Sequence, residues 1–416
     1  MKYVTSLVCT NCGQEYEPEP ERYLCPDCGD EGLLDVKYDY EAIKKDWSKA
    51  DLSQDQKLNI WRYLPLLPVK PETERPPLRV GWTPLYQNKD LADELGLDNV
   101  YIKDDGLNPT GSLKDRASAM AVVKGREAGA KTVACSSTGN AASSLAGNVA
   151  SMEGDMRAVI FVPERAPGGK VTQLLIYGSH VVSVQGSYEE AFYLSDEAIK
   201  KWGWYNRNAA INPYLVEGKK TVSIELAEQL NWEMPDWLVF SVGDGCTIAG
   251  AWKGLYDLKQ IGFIDKIPRL LGVQAEGCAP ITKSFRTGDP LEVTSEDTLA
   301  DSIAVGKPRN YRKAINGVKN SNGRMVNVAD EEILEMMRVL GRNTGIFGEP
   351  AGVTGLAGLR KMVDQGVIKP DEKVVTVITG NGLKDIKSAQ KAAGQPLAVK
   401  PDINKLKEVF KDMRLV

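Results

Sequence analysis

From residue 99 onward, short apolar runs alternate with longer amphipathic stretches, and this rhythm limits the possible folds more than any other feature of the chain. Segments 99–103, 132–135, 158–162, 180–184, 237–242, 269–275 and 373–379 read as strands. Segments 115–129, 140–152, 168–177, 188–202, 247–261, 330–343 and 353–366 carry the spacing of helices. A strand that follows a helical crossover runs parallel to its predecessor, because that connection needs a dozen residues or more. Parallel strands are covered on both faces and read as unbroken apolar runs, as 237–242 (Trp-Leu-Val-Phe-Ser-Val) does. The expectation is an α/β protein with largely parallel, helix-covered sheets. With 416 residues the chain exceeds what one small core organises, so two lobes are expected.

The start of the chain is different. Residues 9–28 read Cys-x2-Cys-x12-Cys-x2-Cys, with Gly13 and Gly29 behind the second cysteine of each pair. Two such knuckles bring four thiolates to tetrahedral spacing, and each glycine lets the backbone turn tightly. This predicts a structural zinc ribbon over 1–36, its shell closed by Cys9, Cys12, Cys25 and Cys28 and so without a catalytic role. Segment 38–66 reads as helical, and Pro65, Pro68, Pro71, Pro76 and Pro77 then read as an extended linker. Segment 285–325 lacks periodicity and reads as irregular connection near the cleft. The lobes are expected over 37–225 and 226–416.

Composition removes several function classes. The formal charge is −4 and no Lys/Arg-rich run occurs, so neither nucleic acid nor an anionic membrane is an expected partner. No stretch is long and apolar enough for a membrane span, and the first residues lack a signal-peptide pattern. Of seven cysteines, four belong to the ribbon, while Cys135, Cys246 and Cys278 are scattered in apolar contexts. That usage fits free thiols in a reducing cytoplasm. The single histidine, His180, opens a strand and reads as packing. Without a second histidine or a Gly-x-Ser-x-Gly elbow, zinc-histidine and Ser-His-Asp chemistry are not expected.

In open α/β sheets, chemistry gathers just beyond the carboxyl ends of strands. Four glycine-bearing turns occupy that position. In the first, Asn108-Pro109-Thr110-Gly111-Ser112-Leu113-Lys114-Asp115-Arg116, Pro and Gly bend the chain before a helix and put Lys114 at the bend. A lysine there serves as a Schiff-base amine if it is desolvated or close to another cation; otherwise it is a surface residue opening a helix. The second turn, Ser136-Ser137-Thr138-Gly139-Asn140, offers hydroxyls, an amide and backbone N–H groups, suited to a carboxylate or phenolic oxygen or to simple N-capping. The third, Gly243-Asp244-Gly245-Cys246-Thr247, is neither a Walker loop nor a dinucleotide fingerprint and reads as a cradle for a smaller phosphate group or as a tight turn. The fourth, Thr379-Gly380-Asn381-Gly382, puts one hydroxyl at a strand end.

Together the lysine, phosphate cradle, carboxylate loop and lone hydroxyl make a set for pyridoxal 5'-phosphate. The chain resembles the second fold type of pyridoxal-phosphate enzymes, and within it the threonine synthase family. The specific motifs are Asn108-Pro-Thr-Gly-Ser-Leu-Lys114-Asp-Arg and Ser137-Thr-Gly-Asn140. The resemblance runs from Trp61-Arg62-Tyr63-Leu64-Pro65 to Thr379-Gly380-Asn381-Gly382-Leu383-Lys384-Asp385, most of the chain, and some relatives carry an N-terminal zinc ribbon. It implies that Lys114 holds the cofactor and moves protons at the α and β carbons. It implies that Asn140 binds the phenolic oxygen, that Ser137, Thr138 and Ala141 bind the substrate carboxylate, and that Gly243, Asp244, Gly245, Cys246 and Thr247 hold the cofactor phosphate. Thr379 would face the pyridine nitrogen; a hydroxyl cannot keep the ring protonated as a carboxylate would, which favours elimination and replacement at Cβ or Cγ. The implied reaction turns O-phospho-L-homoserine and water into threonine and phosphate, in a cytoplasmic homodimer acting on small amino-acid substrates.

Two departures bear on the substrate. The family grips the substrate phosphate with an Asn-Ser pair and an Arg around an Asn-Pro-x-x-x-Glu-Gly segment; here those positions are Ala209, Ala210 and Leu215. Arg207, Asn208 and Lys170 are nearby polar residues that could replace them. The cofactor-phosphate loop carries Asp244, an acid beside a phosphate unless it points away. A β-replacement on O-phosphoserine (cysteate- or cysteine-forming), a serine/threonine dehydratase and a catalytically dead binding module therefore remain alternatives.

Overall fold

The computed structural model describes the chain apart from Pro167, Ala209, Arg414 and Val416, and apart from the side chains of residues 168–170, Tyr188, Glu408 and Asp412. Its larger sheet has six strands in the order Arg324–Val328, Arg269–Ala275, Trp237–Ser241, Lys373–Ile378, Asn99–Asp104, Leu85–Gln87. All neighbours are parallel except Leu85–Gln87, which pairs antiparallel with Asn99–Asp104 at the edge. A second sheet runs His180–Val184, Arg157–Pro163, Thr132–Ser136, Tyr205–Asn206, all parallel. The expected two-lobe α/β architecture is present.

Strand alternation explains how the large sheet is held. Leu238, Phe240, Val375 and Val377 enter one apolar cluster, while Trp237, Val239, Val374 and Ile378 enter the cluster on the opposite face. Removing a side chain such as the fully buried Phe240 would cost about 3–5 kcal/mol. The sheets do not sort by position in the chain. Asn99–Asp104 lies beside Lys373–Ile378, so the large sheet draws on both sides of residue 225, and the smaller sheet is a continuous insertion.

Within the two lobes, three short strands, Leu85–Gln87, Tyr205–Asn206 and Arg324–Val328, and several helices escape the sequence reading. Leu85–Gln87 and Tyr205–Asn206 are too short for a period to show. Segment 285–325 is not irregular throughout: it holds the helix Tyr311–Asn320 and leads into the edge strand Arg324–Val328. Gly317 masks that helix, yet it is there because a Cβ would lie 2.8 Å from Trp252 Cβ. Segment 38–66 is two short helices, Tyr40–Asp46 and Lys49–Gln54, and a 3₁₀ stretch, Ile60–Leu66. His180 is exposed at the start of an edge strand, which corrects its reading as a packing residue.

The N-terminal strands form an antiparallel sheet, Glu15–Tyr16, Val4–Cys9, Leu34–Tyr38. Leu7, Leu34, Val36 and Tyr38 share an apolar cluster with Phe240 and Leu255, so this unit is packed onto the large lobe. Among the described residues, no helix is long and apolar enough to cross a membrane.

Candidate active site

The carboxyl ends of both sheets open on one cavity of about 1450 Å³. It is lined by Lys114, Ser137, Thr138, Asn140, Ala141, all of 243–247 and Thr379. Every residue expected to serve the cofactor or substrate thus meets in one place.

Lys114 begins the helix Lys114–Glu127, and the preceding turn is held rigidly. Asp115 accepts from the Thr110 N–H at 2.8 Å and from the Thr110 hydroxyl at 2.9 Å. Asn108 accepts from the Gly81 N–H at 2.9 Å. Gly111 adopts a φ of +89°, and a Cβ there would meet Lys384 Cε at 2.9 Å. The Leu113 N–H donates to the Thr379 carbonyl at 2.8 Å and the Asn381 N–H to the Gly111 carbonyl at 3.0 Å, so the lysine turn and the Thr379 turn are stitched together. Beneath them, the fully buried Arg116 donates to Asp105 at 2.7 and 2.8 Å and to Glu225 at 2.8 Å. Burial opposes ionisation of Glu225, but Arg116 and Lys103 outweigh it and hold its carboxyl at about 2. Breaking such a pair from one side costs about 3–5 kcal/mol.

The Lys114 amine makes no hydrogen bond or ion pair among the described residues. Burial first, and then the charge of Lys219, bring it from 10.5 down to about 8. It has the desolvation and the cationic neighbour that activate an amine as a nucleophile.

Two helix starts aim N–H groups into the cavity. Cys246–Gln260 begins after Gly245, whose φ of +86° suits glycine; a Cβ would lie 2.9 Å from Ala314 Cβ. The N–H groups of Cys246, Thr247 and Ile248 precede the first intrahelical bond, from the Ala249 N–H to the Gly245 carbonyl, and are open to an anion. Asp244 does not spoil this cradle. It lines the cavity, but its Oδ1 accepts from the Arg309 N–H at 2.7 Å and its Oδ2 from the Cys246 thiol at 3.6 Å, and burial pushes its carboxyl up, towards the uncharged form. The other start, Asn140–Ala150, follows the 137–139 turn, where the Ser137 hydroxyl accepts from the Gly139 N–H at 3.2 Å.

Two further residues of this region, Lys219 and Glu349, were not singled out by sequence. Lys219 is 3% exposed with no ion-pair partner among the described residues, and it acts electrostatically on Asp244 and Cys246. Glu349 accepts from Asn140 Nδ2 at 2.6 Å, and burial pushes its carboxyl up to about 7. Arg207 and Asn208, named from the sequence as possible replacements for the phosphate grip, line the same cavity. For Glu349 and Lys219 the only sequence hints are Glu349-Pro350 opening a helix and the basic pair after Glu217-Gly218. Of the positions expected to grip a substrate phosphate, Ala210 and Leu215 are buried and carry no polar side chain. Ala209 and the Lys170 side chain lie outside the described residues.

The site suits pyridoxal phosphate. A phosphate at 243–247 would gain several N–H donors and a buried ammonium, and an aldehyde near Lys114 would meet an unpaired amine.

The Sγ atoms of Cys9, Cys12, Cys25 and Cys28 all lie within 4.8 Å of one another. Gly13 and Gly29 take φ of +78° and +54°, and their N–H groups donate to the Cys9 and Cys25 carbonyls at 3.0 Å, two copies of one turn. A divalent zinc would fit this set of thiolates. The same unit supplies Glu21, Tyr23, Leu24 and Asp30 to the cavity wall. It is pinned by Tyr214, whose hydroxyl donates to the Glu19 carbonyl at 2.6 Å, and by the Asn206 N–H, which donates to Tyr23 at 3.1 Å.

Comparison with known proteins agrees with this geometry. The family described as Pyridoxal-phosphate dependent enzyme matches residues 77–380. The chain is 38% identical over 408 residues to a threonine synthase of Methanocaldococcus jannaschii, covering 97% of this chain and 99% of that one. It is 39% identical over 407 residues to a threonine synthase of Methanosarcina acetivorans, covering 97% and 98%. Among solved structures it is similar to the processed threonine deaminase isoform 2 of Solanum lycopersicum, with a TM-score of 0.63 and 25% identity over 75% of this chain and 87% of that one. The chain therefore belongs to the pyridoxal-phosphate-dependent enzymes and, within them, to the threonine synthase family.

Proposed function

We propose that the enzyme converts O-phospho-L-homoserine and water into L-threonine and phosphate. The observation that carries this reading is the unpaired Lys114 amine, held at about 8, in one cavity with the 243–247 cradle and the 137–141 loop. Bound pyridoxal phosphate supplies an electron sink for negative charge that develops beside the amino-bearing carbon. Lys114 anchors the cofactor and afterwards takes and returns protons at the α and β carbons. Asn140, oriented by Glu349, donates to the phenolic oxygen. Residues 243–247 and Lys219 hold the cofactor phosphate. Ser137, Thr138 and Ala141 orient the substrate carboxylate, and Thr379 faces the ring nitrogen with a neutral hydroxyl. In the same reading Cys9, Cys12, Cys25 and Cys28 hold a structural zinc, and the enzyme works as a cytoplasmic homodimer.

A second reading is favoured by one observation: Ala210 and Leu215 offer no polar group where a phosphohomoserine grip is expected. It keeps the cofactor roles and makes O-phosphoserine the substrate of a β-replacement. One panel separates the two. Cofactor-loaded enzyme is given phosphohomoserine, phosphoserine, threonine or serine, and phosphate, threonine and keto acid are measured. Equal release of phosphate and threonine from phosphohomoserine is expected. Phosphate release from phosphoserine alone selects the second reading, and keto acid from threonine would displace both.

A further inference from the structure

Among the described residues four that line the cavity have a buried, unsatisfied side-chain atom; one is Thr294 Oγ1, and the other three, Arg207 Nη2, Asn208 Nδ2 and Ser136 Oγ, lie together at the smaller sheet. Their residues are 1%, 3% and 5% exposed. Arg207 donates through Nε to the Ser118 hydroxyl at 3.0 Å, and no carboxylate reaches ion-pair distance of its guanidinium among the described residues. A guanidinium buried without a counter-ion is costly, so such an arrangement calls for an anion that arrives with a ligand.

The segment that carries these groups is fixed in advance. The Arg207 N–H donates to the Ala134 carbonyl at 2.9 Å, and the Asn208 N–H to Asn206 Oδ1 at 2.8 Å. Asn212 Nδ2 donates to the Asn206 carbonyl at 2.9 Å. Asn208 Oδ1 accepts from the Ser136 N–H at 2.9 Å, which leaves Nδ2 as the open end of that amide. Ala210 follows with a φ of +65°, a strained conformation for a residue with a Cβ and one that collects at ligand sites.

Besides Lys114, the cavity is lined among the described residues by two buried cations without ion-pair partners, Lys219 and Arg207, carried by different elements. Lys219 acts foremost on Asp244 and Cys246 of the 243–247 cradle, whereas Arg207, among its titratable neighbours, is influenced first by Cys135, on the strand Thr132–Ser136, and only then by Cys246. Arg207 and Asn208 instead follow Tyr205–Asn206 in the smaller sheet, beside Thr132–Ser136, the strand that runs into the 137–141 turn. Their wall is the substrate's. The carboxylate already has its cradle there, so the group left to bind is the distal anion. We propose that Arg207, Asn208 and Ser136 form the seat for the phosphate ester of the substrate, in place of the side chains missing at Ala210 and Leu215. This rests on the proposed reaction only in taking the substrate to be a phosphorylated amino acid.

The test uses cofactor-loaded wild type, Arg207→Met and Arg207→Lys. Inorganic phosphate, phosphohomoserine and phosphoserine are titrated by the cofactor's absorbance and by turnover, with L-norvaline as an uncharged-tail control. Loss of one charge-assisted clamp predicts that Arg207→Met weakens inorganic phosphate and raises KM for the phosphorylated substrate by about 10- to 100-fold. Cofactor affinity and norvaline binding stay within about threefold, and Arg207→Lys recovers part of the loss. Since Met removes an uncompensated buried charge, the variant without added anion should melt no lower than wild type, so misfolding is recognised directly. Loss of cofactor affinity with phosphate inhibition unchanged would overturn the proposal by assigning Arg207 to the cofactor. So would wild-type phosphate affinity in Arg207→Met. The two readings fail separately: an enzyme that turns over only phosphoserine, with the same dependence on Arg207, keeps the seat and discards threonine formation.

Discussion

Lys114 releases its proton well below an ordinary lysine. Its amine lies at about 8 in place of 10.5 because burial penalises the ammonium and Lys219 repels it. The difference is worth roughly 3 kcal/mol against the charged form. At pH 7.5 about one Lys114 in four is neutral, against about one ordinary lysine in a thousand. Only the neutral amine attacks an aldehyde. Cofactor-free protein mixed with pyridoxal phosphate should therefore capture it at a rate that climbs with pH and levels off above a midpoint near 8, followed by absorbance from about pH 6 to pH 10. Lys219→Met removes the second cause and leaves burial in place, so the midpoint should move up, staying below 10.5, and capture at neutral pH should slow. Cofactor affinity will fall too, because Lys219 borders the phosphate cradle, but the midpoint reports the lysine alone. A wild-type midpoint near 10.5, or the same midpoint in both proteins, would refute the reasoning.

Two other perturbations probe parts farther from that amine. Glu349 binds its proton more tightly folded, at about 7, than unfolded, near 4.5, so its contribution to stability is complete below pH 4.5 and is lost as pH rises through 7. Glu349→Gln should flatten that loss in urea titrations across the window; an unchanged pH slope would contradict it. Metal analysis should find about one zinc per chain, lost with Cys12→Ser. Because Tyr23 and Asp30 border the cavity, stripping the metal should lower the melting temperature and raise KM while the cofactor stays bound; a metal-free protein with wild-type kinetics would remove the ribbon from the account.

Sequence carries the features whose chemistry is local. The Lys114 turn, the Ser137–Asn140 loop, the 243–247 cradle and the paired cysteines each hold their meaning in a few adjacent residues, and each lies where a strand-to-turn reading puts it. Lys219 and Glu349 are different. Their importance lies in partners they lack or find across the fold, such as Asn140 for Glu349, 209 positions away. Sheet membership was hidden for the same reason: the pairing of Asn99–Asp104 with Lys373–Ile378 is a long-range choice that apolar runs do not encode. Asp244 shows the limit most simply, since its identity suggested conflict with a phosphate and only the fold shows its carboxyl buried and engaged by the Arg309 N–H at 2.7 Å and the Cys246 thiol at 3.6 Å.

The account rests on Lys114 as the residue that binds the cofactor. Borohydride reduction of the cofactor-loaded enzyme, followed by peptide mass mapping, tests this directly. The account predicts a single reduced pyridoxyl adduct, on Lys114. An adduct on Lys219 or Lys384, or none while Lys114 is intact, would contradict it.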